Sequence, residues 1–346
     1  MWKYVLKRIG LALVTSFIIL SLSFILIKCL PFERPVGMIS DQFAYYESQV
    51  RDGFVLRFNG PQDDAGELLF KYQPSSGGAT YHYYLKPTMA QYTQWLSNIV
   101  TKWDWGTSSH IKMGVKASVI IASRLPYSIK VNIFATLISV PLGILLGIVA
   151  ALNKNKPIDH FLSTGVMVMT SIPSFVLITF LMLIFCYNTQ LLPSQWPSNT
   201  APLKQQILGY ILPVCCLSFG SIAGYCRFVR AELCEVMSSE YLLLARTKGL
   251  TKKQAILRHA LRNAMVPIVP SILAEVIGVL GGSMILERLY GIPGIGSLYV
   301  DALNSKDYNV LFVDMAVFTT ISLVAGVVLD ISYGFIDPRI RMGAKK

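Results

Sequence analysis

The sequence predicts an all-α polytopic membrane protein. It should have six transmembrane helices, both termini in the cytoplasm, and a small α/β insertion outside between the first two helices. Three observations carry this. Of 346 residues, 53% are hydrophobic and only 14% charged, against roughly 25% charged in an average soluble domain. The apolar residues cluster into runs of about 20, the length at which a helix crosses a bilayer core. The net charge of +12 falls on one side once those runs are threaded through a membrane. An ordinary soluble enzyme, a disordered chain and a disulfide scaffold are excluded.

The apolar runs are 9–27, 131–152, 161–187, 207–226, 264–286 and 311–336. Helices are the reading because each run then satisfies its own backbone hydrogen bonds inside lipid. A β-barrel would alternate in segments of about ten residues, and no such pattern occurs. With the N-terminus inside, segments 1–8, 153–160, 227–263 and 337–346 hold 17 Lys and Arg against five acids. The outer segments 31–116, 188–206 and 287–310 hold 11 of each. Basic residues concentrate on the cytoplasmic side of membrane proteins, so both termini are placed there and nucleic acid is not needed to explain the charge. The expected organisation is a tail and first span in 1–30, an extracytoplasmic segment in 31–116, and a core of five spans in 117–346.

The first run has a competing reading as a signal peptide, because Lys3, Lys7 and Arg8 precede it. Cleavage requires small residues at the end of the apolar stretch, and this one ends Ile27-Lys28-Cys29-Leu30-Pro31. Lys28 before Cys29 also argues against a lipid-modified cysteine. A retained anchor is expected.

The outer segment has no cysteine to cross-link it. Phe54-Val-Leu-Arg-Phe58 and Glu67-Leu-Leu-Phe-Lys-Tyr72 read as strands flanking Asn59-Gly60-Pro61 and further polar residues, which predicts a small hairpin over 54–72. Residues 79–85 are a third candidate strand. Tyr92, Trp95, Leu96, Ile99, Val100 and Trp103 recur at helical spacing, predicting an amphipathic helix over about 88–103. It would lie at the membrane interface or on the outer span ends, or would dock a soluble partner.

The longest inward loop, 227–263, reads as helix, glycine, helix. Glu240-Tyr-Leu-Leu-Leu-Ala-Arg-Thr-Lys248 is stopped by Gly249, a residue suited to a left-handed helix end. Thr251-Lys-Lys-Gln254 fits a capping box that starts a second helix leading into the fifth span. Leu242, Leu243, Leu244, Ala245 and Leu250 give the loop an apolar surface that a mere connector does not need. It reads as a peg for another protein's groove, or as a basic helix on anionic lipid.

Tyr241-Leu-Leu-Leu-Ala-Arg-Thr-Lys-Gly-Leu250, followed by Arg258-His-Ala-Leu-Arg-Asn-Ala264, closely resembles the coupling loop of binding-protein-dependent ABC importer permeases. The branch is the oligopeptide, dipeptide and nickel one, and the first-permease type within it. Leu6-Lys-Arg-Ile9 and Leu30-Pro31, Lys86-Pro87, Trp95-Leu-Ser-Asn98, Asp104-Trp-Gly-Thr-Ser108, Arg124-Leu-Pro126 and Ser171-Ile-Pro-Ser-Phe175 extend the likeness. So do Gly291-Ile-Pro-Gly-Ile-Gly296, Asp307-Tyr308 and Asp337-Pro-Arg-Ile-Arg341. Only about 36–80 has no counterpart in the pattern. Where the wider family has Glu-Ala-Ala before the loop glycine, this chain has Leu243, Leu244 and Ala245. The later Ile-x-Leu-Pro reads His259-Ala-Leu261-Arg262, and both changes are usual in the peptide branch.

The resemblance implies a type I importer permease in a bacterial plasma membrane, paired with a second homologous permease around a shared pathway. Two cytoplasmic ATPase subunits would grip the loop through Tyr241, Leu244, Ala245, Arg246, Lys248, Gly249, Leu250, Arg258, His259, Leu261, Arg262 and Asn263. An external peptide-binding protein would deliver the substrate. ATP and Mg would be bound by the partners, with no cofactor in this chain. The branch handles dipeptides, longer peptides, signalling peptides and nickel. Peptide is the expectation, since no His or Cys cluster favours metal.

No Gly-x-x-x-x-Gly-Lys-Ser/Thr occurs, so the chain has no Walker-type phosphate cradle and is not expected to hydrolyse ATP. Gly291, Gly294 and Gly296 lack a surrounding βαβ unit and read as a turn at the pathway mouth. The four histidines, 82, 110, 160 and 259, have no metal-ligand spacing. The six cysteines, 29, 186, 215, 216, 226 and 234, form no Cys-x-x-Cys pair and read as buried thiols. Glu275 lies mid-span, where a charge costs several kcal/mol unless paired or wet. It is a candidate pathway-lining contact for a peptide amino group, or a polar interhelical contact. Gly278, Gly281 and Gly282 suit close helix packing, and Pro126, Pro141, Pro173 and Pro213 suit kinks. A secondary transporter would need several mid-membrane ionisable groups and an inverted repeat. A scaffold or receptor would have no use for the helix–glycine–helix loop.

Overall fold

The computed structural model describes residues 2–29, 34–75 and 77–336, with side chains left aside at 2–4, 246, 252, 253, 257 and 333–336. Leu30-Pro31 and Asp337-Pro-Arg-Ile-Arg341 therefore lie outside the described residues. The helices are α1 (Trp2–Lys28), α2 (Ile39–Asp52), α3 (Thr88–Lys102), α4 (Ala117–Leu152), α5 (Pro157–Ser171), α6 (Ser174–Met182) and α7 (Leu203–Met237). They continue with α8 (Glu240–Thr247), α9 (Lys252–Ala255), α10 (Leu261–Gly278), α11 (Met284–Tyr290), α12 (Ile295–Asn304) and α13 (Tyr308–Ile336). Three strands, β1 (Val55–Phe58), β2 (Leu68–Tyr72) and β3 (Tyr81–Leu85), form one sheet.

Among the described residues, five helical stretches are long and apolar enough to cross a membrane: Val5–Lys28, Ala117–Leu152, Leu203–Met237, Arg258–Gly281 and Tyr308–Ser332. The predicted third span is not one straight helix. Pro157–Ser171 and Ser174–Asn188 are bent by 93° at the break between them, and count as a sixth span when taken together. Ile172 is extended at φ −90°, ψ 116°, because a residue before proline is pushed out of the helical region. Pro173, with no N–H to offer, begins the next helix instead, its carbonyl accepting from Val176 and Leu177 at 3.0 Å each. The fifth span also differs from expectation. Its helix ends near Gly281, and Gly282 at φ +64° turns the chain into the separate short helix α11.

The chain divides into two compact units, one made of 1–12, 125–297 and 321–346 and the other of 13–124 and 298–320. In the first unit, α4 lies so close to α7 that the contact requires glycine. A Cβ on Gly143 would sit 2.6 Å from Tyr225 Cβ, and one on Gly147 2.7 Å from Val229 Cβ. The predicted close packing at Gly278 is not found, since a Cβ there would meet nothing within 4 Å. Pro126 and Pro141 lie inside α4, Pro213 inside α7, and Pro267 and Pro270 inside α10.

The second unit holds the insertion. Its strand order is β1-β3-β2 with both pairings antiparallel. The predicted hairpin of β1 with β2 is thus corrected, because β3 lies between them. His82, Tyr83 and Tyr84 are all buried, as suits a strand covered on both faces and flanked on both edges, whereas β1 and β2 each carry an exposed basic residue, Arg57 and Lys71. The core packs α2 on the sheet, with the Tyr46 and Phe70 rings stacked at 4.8 Å. Tyr83 Oη donates to Glu47 at 2.6 Å, and Arg57 donates to the same carboxylate at 2.9 Å. Helix α2 has no counterpart in the predicted elements. Its buried side includes Ser48, Gln49 and Asp52 beside Tyr45 and Tyr46, so apolar periodicity does not reveal it. Helix α3 packs through Trp95, which contacts Phe24 of α1 and Phe312 of α13 at ring distances of 4.7 and 5.5 Å. Trp103, at the far end of the same stripe, is 75% exposed.

Candidate functional site

The predicted inward loop is shorter than 227–263, because residues 227–237 continue α7 as helix. What remains is α8, Gly249, and a helical run from Lys252 through a π-helical turn, Ile256–Ala260, into α10. Gly249 is left-handed at φ +91°, which ends α8 without the steric cost a Cβ would bring. The capping box forms in both directions. Gln254 N donates to Thr251 Oγ1 at 3.3 Å, and Thr251 N donates to Gln254 Oε1 at 3.1 Å.

Helix α8 is split between an anchor and a display face. Leu242 is buried in a cluster with Leu233, Cys234, Ala255, Ile256 and Ala260, and Leu250 packs against it. Tyr241, Leu243 and Leu244 point outward, the two leucines 62% and 59% exposed. Burying a leucine stabilises by roughly 1.5–3 kcal/mol, so this face gains if another surface covers it. A cleft of about 200 Å³ opens beside it, lined by Met237, Ser239, Glu240, Leu242, Leu243 and Ile256.

Of the other predicted contacts, Lys248, Gly249, Arg258, His259, Arg262 and Asn263 are exposed, while Ala245 and Leu261 are half-buried. The Arg246 side chain lies outside what is described. The face therefore combines exposed leucines and a tyrosine with a rim of basic residues. Leu243 belongs to it although the predicted ATPase contacts pass over it. Only the packing of Leu242 decides which of three consecutive leucines turns inward.

The loop stands on a braced helix. Arg230, in the extension of α7, donates from Nε and Nη2 to Asp159 at 2.5 and 2.8 Å. Asp159 is almost fully buried and also accepts from Asn155 N and Ser163 Oγ. A two-pronged guanidinium–carboxylate pair of this kind is among the stronger polar contacts. No spacing in the sequence relates residues 71 positions apart, so the pair is invisible there.

Glu275 is half-buried in α10. Ser139 Oγ of α4 donates to it at 3.4 Å. An interhelical polar contact thus reaches this mid-span carboxylate. The glycine stretch 291–296 has a structural role of its own. Glu287, 3% exposed, accepts from Ser128 Oγ at 2.7 Å and Ser297 N at 3.0 Å, at the start of α12. A Cβ on Gly294 would overlap that carboxylate. Burial pushes the Glu287 carboxyl up, and these donors offset it only in part.

All six cysteines are free thiols. Cys29 and Cys215 are exposed, which corrects the expectation that all are buried. Among the described residues, no group of three His, Cys, Asp or Glu could hold a metal ion.

Residues 143–342 match the family described as the binding-protein-dependent transport system inner membrane component. The chain is 32% identical to the dipeptide transport system permease protein DppB of Lactococcus lactis, covering 99% of this chain and 100% of that protein. It is 31% identical to the oligopeptide transport system permease protein OppB of Haemophilus influenzae, with the same coverage. Among solved structures it resembles a chain of the MetNI methionine ABC transporter in an inward-facing form. The TM-score is 0.50 at 14% identity, over 64% of this chain and 97% of that one. That last likeness concerns the fold.

Proposed function

The chain belongs to the family of binding-protein-dependent transport system inner membrane components, and from that membership we propose that it is the permease subunit of an ATP-driven importer of peptides. The observation that carries the reading is similarity across 99% of the chain to permeases of dipeptide and oligopeptide transport systems. The chain lies in the membrane as half of a translocation pathway, with a second homologous permease as the other half. It is not the catalytic subunit. Two cytoplasmic ATPases hydrolyse ATP, and an external binding protein presents the peptide. Helix α8, with Tyr241, Leu243, Leu244 and the neighbouring basic residues, sits in a groove of one ATPase. The anchored side of α8 and the Asp159–Arg230 brace pass the ATPase motion to α7 and α10. Glu275 lies where the pathway can meet a peptide amino group.

The test is uptake of a labelled dipeptide by membrane vesicles carrying the complete transporter. Gly249→Pro, or the pair Arg246→Glu and Lys248→Glu, leaves the protein in the membrane and lowers uptake to background. Normal uptake by both variants would mean that the loop does not couple to the ATPase.

A further inference from the structure

A cavity in the second unit has no role in the transport reading. It measures about 280 Å³, and its lining includes Lys28, Arg34, His110, Lys306, Gln91 and Ile27. No described carboxylate lines it. We infer that this cavity binds the phosphate headgroup of a membrane phospholipid.

Two features define the ligand. The cationic lining calls for anionic oxygens, which a phospholipid headgroup carries on its phosphate. The volume lies near the lower end for small-molecule pockets, enough for a headgroup without its acyl chains.

Position favours lipid over a soluble anion. Lys28 closes the first span, the depth at which hydrocarbon gives way to headgroups. In the turns just before it, Leu22, Ile25 and Leu26 are exposed and offer an apolar wall for acyl chains. A peptide carboxylate could meet the same cations but would leave that wall unused. The cations have protein neighbours as well, Lys306 among them. Lys28 Nζ lies 3.7 Å from the Phe54 ring centre, and Arg34 pairs with Glu67 at 3.1 Å in an exposed contact of small energetic value.

The experiment is native mass spectrometry of the complete transporter after exchange into detergent with phosphatidylglycerol, reading lipid retained as bulk lipid is stripped. Wild type retains a bound lipid. Arg34→Gln and Lys306→Gln each lower retention about fivefold, as expected for one interfacial cation, while the exposed sites Lys71→Gln and Lys102→Gln leave it unchanged. Lys28→Gln also loses the Phe54 contact, so the first two variants carry the test. Equal retention by wild type and both cavity variants overturns the proposal. Release of the lipid by millimolar inorganic phosphate, or by a dipeptide, also overturns it and assigns the cavity to a soluble anion. Retention is read without uptake, so the result is independent of the transport reading.

Discussion

Glu275 and Asp52 are both acids in surroundings hostile to charge, and they are held differently. Glu275 accepts a hydrogen bond from Ser139, a contact that a glutamine's carbonyl oxygen can also accept. Glu275→Gln therefore keeps the fold and removes the charge. Uptake of peptides with a free amino terminus is expected to fall about tenfold, the equivalent of 1.4 kcal/mol, while Nα-acetylated peptides are unaffected. Unchanged uptake in every charge class would reduce Glu275 to a packing contact. Asp52 accepts from Asn309 Nδ2 at 2.6 Å, in a buried spot of the insertion. Burial raises its carboxyl to about 6, against which Thr107, Arg51 and Asn309 work only in part. The folded protein thus keeps a proton that the unfolded chain has released. Its contribution to stability is full below about pH 4, declines as pH rises through 6 and is flat beyond, an effect of at most about 3 kcal/mol. Asp52→Asn should remove that slope. Thermal unfolding of the full chain in detergent, followed by tryptophan fluorescence from pH 4 to 7.5, reads it; identical slopes in wild type and variant would contradict the assignment.

At the scale of elements, the close approach of α4 to α7 depends on Gly143 and Gly147, which face Tyr225, Ile222, Val229 and Cys226. Between helices in lipid such small-residue contacts replace the hydrophobic drive available in water. The nearest atoms include backbone carbonyls at 2.8 to 2.9 Å from the added Cβ, which cannot rotate away. Gly147→Val is therefore expected to cost about 1–3 kcal/mol and to lower the thermal midpoint of the purified protein. A change at Gly278, where the added group meets nothing, should leave it unaltered. Of the glycines the sequence points to, Gly282 does pack closely, against Glu287 and Ser128, while Gly278 meets nothing, because the sequence shows which helix holds a small residue but not which face meets a neighbour. A similar limit explains the sheet. Strand positions follow from β-branched, aromatic and alternating patterns, whereas pairing depends on which strand the α2 and sheet core can cover on both faces.

For the whole molecule, the expected measurement is gentle co-purification from the native membrane. A second six-span permease and P-loop ATPases should accompany the chain. Purification as a homodimer that transports without ATP would defeat the subunit reading. The apolar spans and the helix–glycine–helix form of the long loop could be read from residues alone. Hydrophobic length, basic-residue asymmetry, Gly249 and Thr251–Gln254 are local properties, enforced wherever the chain meets a bilayer and water. The tertiary structure decided what depends on distant partners: the 93° break in the third crossing, the β1-β3-β2 order, the Asp159–Arg230 brace and the choice of Leu242 as anchor. Each turns on which groups meet after packing, and one-dimensional spacing carries no information about contacts between residues far apart in the chain.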